Sequence, residues 1–145
     1  MRALLQRVSK ASVTVAGEIT GQIEAGLLVL LGVGLQDTDA DAAKLAHKVT
    51  HLRVFEDSVG KMNLSLLDVR GEMLVVSQFT LYAETAKGNR PSYSQAARPE
   101  VAGVLYEAFI GYCRGQGVRV STGIFQSDMQ VMLINDGPVT LMCET

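Results

Sequence analysis

Residues 2–33 read R-A-L-L-Q-R-V-S-K-A-S-V-T-V-A-G-E-I-T-G-Q-I-E-A-G-L-L-V-L-L-G-V, and the punctuation of this stretch decides the fold class. Four β-prone runs, Ala3 to Val8, Ser12 to Ala16, Glu18 to Ile23 and Leu27 to Val33, are separated in part by Gly17 and by Ala25-Gly26. Glycine reaches backbone angles closed to other residues, so these breaks mark tight turns. Short strands joined by tight turns pair antiparallel.

Beyond this block, Asp37-Thr38-Asp39 supplies N-cap chemistry for a helix in which Ala42, Leu45, Ala46, Val49 and Leu52 recur at helical spacing. Residues 54–68 are mixed, with Gly60 marking a turn and Leu64, Leu66 and Leu67 available to a core. Arg70-Gly71 reads as a turn into a long strand, Glu72 to Tyr82, followed by a surface loop over Ala83 to Ala97 rich in Gly, Asn, Pro and Ser. Pro99 suits the first turn of a second helix whose Val101, Val104, Leu105, Ala108, Phe109, Tyr112 and Cys113 form an apolar stripe. Strands from Val118 to Gly123, Met129 to Ile134 and Val139 to Glu144 complete the chain. Strands outnumber helices and the helices do not alternate with them one for one, which disfavours a doubly wound parallel sheet. The expected class is α+β: a single domain over residues 1–145, with a barrel-like, mainly antiparallel β-sheet and two packed helices.

Composition narrows the function classes. At 145 residues and 48% hydrophobic content the chain builds one well-buried core. Arg2 and Arg7 flank no continuous apolar segment with a small-residue cleavage site, and the longest apolar run, Leu27 to Leu35, falls far short of the ~20 residues that span a bilayer. A soluble, cytoplasmic protein without membrane contact is expected. Cys113 and Cys143 belong to no C-x-x-C pattern, so they read as buried thiols. A net charge of −2 argues against coating nucleic acid by electrostatics alone. It is compatible with contact confined to a nucleic-acid end, for which a local basic patch suffices, and Lys87, Arg90 and Arg98 cluster in the sequence.

The chemistry-bearing stretches are S-Q-F-T-L-Y, Ser77 to Tyr82, and N-D-G-P-V-T, Asn135 to Thr140. As a strand, the first places Gln78, Thr80 and Tyr82 on one face. In the second, Gly137-Pro138 interrupts an apolar strand, leaving carbonyls that a sheet ladder need not consume. There is no G-x-S-x-G elbow, no H-E-x-x-H and no phosphate loop. Thr80 lacks a nominated base and suits a positioning role better than that of a nucleophile. His47 and His51 stand at i, i+4 without a third ligand, so a solvated helix face accounts for them better than a metal site. Asp37, Asp39 and Asp41 read as helix-capping residues.

The two segments, with R-V-S-K-A-S-V-T-V (Arg7 to Val15), G-K-M-N-L-S-L (Gly60 to Leu66) and G-N-R-P-S-Y (Gly88 to Tyr93), resemble the D-aminoacyl-tRNA deacylase family over nearly the whole length. The resemblance implies hydrolysis of D-amino acids esterified to the tRNA 3′ end, with no obligatory cofactor or metal. It implies that Ser77, Gln78, Phe79 and Thr80 form the catalytic platform, backbone amides mattering more than side chains, with the terminal adenosine's 2′-hydroxyl assisting. It further implies a homodimer in which a cis Gly137-Pro138 pair enters the partner's site and excludes L-residues, while Arg7 holds the Gly-Pro carbonyls. Glycine has no side chain to exclude, so glycyl-tRNA is an expected further substrate. Phe125, Met129 and Met132 are candidate pocket-lining residues. The alternatives are an editing deacylase for wrong L-aminoacyl-tRNA and a non-catalytic module that binds tRNA ends.

Overall fold

The structure, a computed structural model, describes residues 1–145. Its central element is β1, Arg2–Val15, which is hydrogen-bonded along both edges. On one edge its first half pairs antiparallel with β3, Gly26–Gly32, and its second half with β2, Glu18–Ile23. Two strands were expected where β1 runs unbroken. No glycine or proline lies between Val8 and Ser12 to end the ladder, and two register shifts absorb the bend instead.

Helix α1, Asp39–His51, then crosses to β6, Glu72–Ser77, which lies parallel to β3. On the way the chain forms a small hairpin of β4, Phe55–Glu56, and β5, Met62–Leu64. Helix α2, Pro99–Gly115, makes a second crossover to β7, Arg119–Thr122, parallel to β6. The last strand, β8, Gln130–Glu144, occupies the other edge of β1. It joins two expected strands, because the Gly137-Pro138 interruption shifts the register without ending the pairing. The sheet is therefore mixed, its antiparallel half built by the turns read from the sequence and its parallel half by the two helical crossovers.

Period-2 alternation divides the apolar residues between two cores. Leu27, Val29, Leu31, Met73 and Val75 face the helices, meeting Leu45 and Val49 of α1 and Phe109 and Ile110 of α2. Leu28, Leu74 and Val76 point the other way, where Val8, Val13 and Ile23 fill the inside of the curled sheet. The curl nearly closes a barrel: Ser121 Oγ on β7 donates to the Gln22 carbonyl on β2 at 3.0 Å. Gly21 allows that approach, since a Cβ there would stand 2.5 Å from the Thr122 carbonyl oxygen. On α2 the buried stripe is Leu105, Tyr106, Phe109, Ile110 and Cys113, whereas Val101 and Val104 face outward.

Thr38 caps α1 as expected, in a reciprocal box with Asp41. Cys113 and Cys143 are free and buried. No helix is long and apolar enough to cross a membrane.

Two outcomes follow from the cores. Leu74→Ala should cost about 3 kcal/mol, read as a lower urea midpoint, because it empties the barrel interior. Burial pushes the Cys113 thiol up from 9.0 to about 12. The unfolded chain thus loses this proton first, so the thiol's contribution is complete below about 9 and is lost as pH rises toward 12. Urea midpoints for wild type and Cys113→Ala between neutral and alkaline pH should show the steeper alkaline decline in wild type.

Candidate active site

Strand β6 loses its partners one after the other: β7 pairs only as far as Val75, and β3 only as far as Ser77. The amide of Gln78 still donates to the Leu31 carbonyl at 2.8 Å, and then the chain turns. Leu81 N donates to Gln78 O at 3.3 Å and Ala83 N to Thr80 O at 3.0 Å, closing a 3-10 turn over Phe79–Tyr82. The expected strand to Tyr82 therefore ends at Ser77, and the predicted alternation of Gln78, Thr80 and Tyr82 does not occur. Gln78 and Thr80 meet by another route, the Gln78 amide group donating to the Thr80 hydroxyl across the turn. The first amides of such a turn, here those of Phe79 and Thr80, have no acceptor within it.

The turn stands at the mouth of a cleft of about 670 Å³. Ser77, Gln78 and Phe79 form one rim, and Gln126, Ser127 and Asp128 another. Of the candidate pocket residues, Phe125 and Met129 line the cleft; Met132 does not, because it lies on the outer face of β8 and is 59% exposed. The apolar wall includes Tyr106, whose ring centroid is 5.7 Å from that of Phe125. Its hydroxyl donates to the Val75 carbonyl at 2.9 Å, and burial raises its pKa, so it remains a protonated donor already in use. Phe79 is exposed and meets the edge of Tyr93 with centroids 5.0 Å apart. Aromatic walls with a few polar groups at the rim suit a ligand with a flat ring and a polar linkage.

The Gly137–Pro138 bond is cis, and neither residue lines the cleft. Arg7, which as a surface residue would be solvated, is 5% exposed. It donates from Nε to Asp136 O at 2.8 Å and from Nη1 to Val54 O at 2.7 Å. The carbonyl it holds is thus the one preceding Gly137, rather than those of the Gly-Pro pair. Its Nη2 lies 3.2 Å from where a Cβ on Gly137 would be. Asn135 braces the same segment: its Oδ1 accepts from Val139 N at 2.8 Å, and its Nδ2 donates to Val139 O at 3.1 Å. This brace belongs to the quoted N-D-G-P-V-T stretch, yet its role depends on the fold of the bulge. Tyr93, Tyr106 and the Gln126 to Asp128 rim were not among the expected site residues, since they reach the cleft from other elements.

Neither histidine and neither cysteine lines the cleft. His47 and His51 stand together on α1 with ring centroids 4.0 Å apart, and the structure contains no group of three metal-ligating side chains. Lys87, Arg90 and Arg98 are exposed and make no ion pair.

Residues 4–144 match the family model described as D-Tyr-tRNA(Tyr) deacylase. A D-aminoacyl-tRNA deacylase of Fervidobacterium nodosum is 59% identical over 145 residues, covering 100% of this chain and 97% of its own. One from Chloroflexus aurantiacus is also 59% identical, with 91% of its length covered. The solved structure of c-Myc DNA Unwinding Element Binding Protein superposes with a TM-score of 0.94 at 42% identity, covering 100% of this chain and 99% of its own. That of "a probable eukaryotic D-amino acid tRNA deacylase" superposes with a TM-score of 0.89 at 19% identity over 99% of this chain and 98% of its own, a likeness of fold.

Removing the Arg7 side chain leaves two carbonyls without their charged donor. Arg7→Ala should lower stability by about 3 kcal/mol in urea unfolding. Arg7→Lys should lose less than Arg7→Ala, because an ammonium still supplies a charged donor to one of the two carbonyls, though it cannot span both as the guanidinium fork does.

Proposed function

Because this chain belongs to the D-Tyr-tRNA(Tyr) deacylase family, we propose that its cleft binds the aminoacylated 3′ end of tRNA and that the turn over Phe79–Tyr82 is where the D-aminoacyl ester is hydrolysed. The products are free tRNA and the D-amino acid, and the cellular role is proofreading of chirality in translation. The observation that carries the reading is the turn at the end of β6, which sets Ser77, Gln78 and Phe79 on the rim of the cleft, with the Gln78 amide group held by the Thr80 hydroxyl behind it.

An aminoacyl ester is already activated, so orientation and charge stabilisation suffice. Water adds to the carbonyl carbon while the carbonyl electron pair moves onto oxygen, where the amides of the turn receive it. Collapse of the adduct breaks the bond to the ribose 3′-oxygen, which leaves with the proton given up by water. The family resemblance implies that the neighbouring 2′-hydroxyl assists. Ser77 to Thr80 act as the platform, and the Tyr106–Phe125 wall receives the adenine ring.

Chiral selection belongs, in this reading, to Gly137-Pro138 supplied by a second copy. Within one chain neither residue of the pair lines the cleft, which supports entry from a partner. Strand β8 supports this: Met132 and Ile134 on one face, and Leu141 and Met142 farther along, are exposed on a strand paired only with β1. An apolar strand with a free edge is normally covered. Carbonyls of the pair accept the α-ammonium of a D-residue and occupy the volume that an L-side chain needs. Glycine passes such a filter, and glycyl-tRNA is accordingly a substrate. A dimer in the cytoplasm, where aminoacyl-tRNA is made, completes the proposal.

The test is release of amino acid from D-tyrosyl-, L-tyrosyl- and glycyl-tRNA by the purified protein, with and without a chelator. Chelator-resistant loss of the D- and glycyl esters with the L-ester spared is expected. Equal D and L rates overturn the filter, L-preference establishes an L-editing enzyme, and tRNA binding without turnover leaves a binding module. Light scattering should return twice the 15.6 kDa of one chain.

A further inference from the structure

Three aspartates at the start of α1 read alike in the sequence and differ in the structure. Asp41 caps the helix, accepting from Thr38 N at 2.9 Å and Thr38 Oγ1 at 2.6 Å. Asp39 accepts the Tyr112 hydroxyl at 2.6 Å, tying α1 to α2. Asp37 turns inward and is only 13% exposed. Its Oδ1 accepts the Met1 ammonium at 2.5 Å, and its Oδ2 accepts the Gly34 amide at 2.6 Å and the Tyr82 hydroxyl at 3.1 Å.

Tyr82 is the last residue of the turn that begins at Phe79. Its ring lies directly against the backbone of Gly32 and Gly34, where a Cβ would come within 3.2 and 2.7 Å of ring atoms. The Arg2 guanidinium sits 4.5 Å above the ring centroid, and Arg2 Nη1 donates to the Leu81 carbonyl at 2.9 Å. The far end of the turn is thus fixed from three sides by groups outside it. Burial and the adjacent Asp37 carboxylate raise the Tyr82 pKa, which keeps the hydroxyl a donor.

We propose that Asp37 and Tyr82 are a positioning pair for the reaction: the carboxylate holds the tyrosine hydroxyl and, through it, sets the orientation of the Phe79–Tyr82 turn toward the cleft. The inference rests on the reading of that turn as the platform for the ester. Neither residue lines the cleft, so the pair acts through the turn rather than on the substrate. Displacement of reacting groups by ~1 Å costs up to about a hundredfold in rate, which gives a small shift of the turn a measurable consequence.

The experiment compares wild type, Tyr82→Phe, Asp37→Asn, the double variant, and Tyr112→Phe, which removes a tyrosine–aspartate hydrogen bond that makes no contact with the turn. Each is assayed for kcat and KM on D-tyrosyl-tRNA, with thermal unfolding alongside. Tyr82→Phe and Asp37→Asn are expected to lower kcat by about 10- to 100-fold while KM stays within about twofold. The double variant should be no slower than the worse single variant, as for residues acting as one unit. Tyr82→Phe removes a single oxygen and should keep its unfolding midpoint within about 5 °C of wild type, so it carries the test if Asp37→Asn fails to fold. Unchanged kcat in Tyr82→Phe overturns the pair, as does an equal loss in Tyr112→Phe or a double variant slowed by the product of the single effects. Wild type without turnover of the D-ester overturns the functional reading beneath it, a result distinct from active variants beside an active wild type.

Discussion

The central strands of this protein are apolar on both faces, and neither face can be left to water. Leu27, Val29 and Leu31 alternate with Leu28 and Leu30 along β3, and Met73 and Val75 with Leu74 and Val76 along β6. One face is covered by α1 and α2. The other is covered by curling the sheet on itself, so that β1 bends and β7 approaches β2. Burial of apolar area on both sides is the dominant favourable term available to a chain of this length, and it demands the barrel as much as the helices.

Curling has a geometric consequence at the end of β6. A strand stays a strand only while at least one neighbour accompanies it. Past Ser77 neither does, and backbone groups that would have entered a ladder close a turn instead. The polar mouth of the cleft is therefore made where the sheet ends, and its apolar wall is made by the helix that returns across the sheet. Backbone amides presented in this way are fixed by the fold and need no reorganisation when charge develops, which is the property required of a platform for ester hydrolysis.

The Gly137-Pro138 segment is organised by a different set of forces. Arg7 is buried under it with its guanidinium divided between Asp136 O and Val54 O, and the Asn135 side chain spans the bulge to Val139. The rigid segment is thereby attached to β1 and to the chain after α1, apart from the cleft. Separation of the two motifs within one chain is what makes a second copy necessary in the proposed mechanism. The exposed apolar residues Met132, Ile134, Leu141 and Met142 lie on the same strand, on either side of the segment.

Much of this was legible in the amino-acid order. Gly17 and Ala25-Gly26 marked the antiparallel turns, Thr38 and Pro99 the helix starts, and the polar end of the apolar run before Ser77 one rim of the cleft, because turn, cap and periodicity signals act over a few residues. The merging of Ala3–Val8 with Ser12–Ala16, the end of β6 at Ser77, the outward face of Met132 and the inward turn of Asp37 were not legible. Each depends on which distant segment lies alongside: β8 bridging the bend in β1, β7 stopping opposite Val75, and Met1 and Tyr82 converging on one carboxylate. Local propensity determined the elements and the chemistry available to them, whereas long-range pairing decided where each strand ended and which groups it brought together.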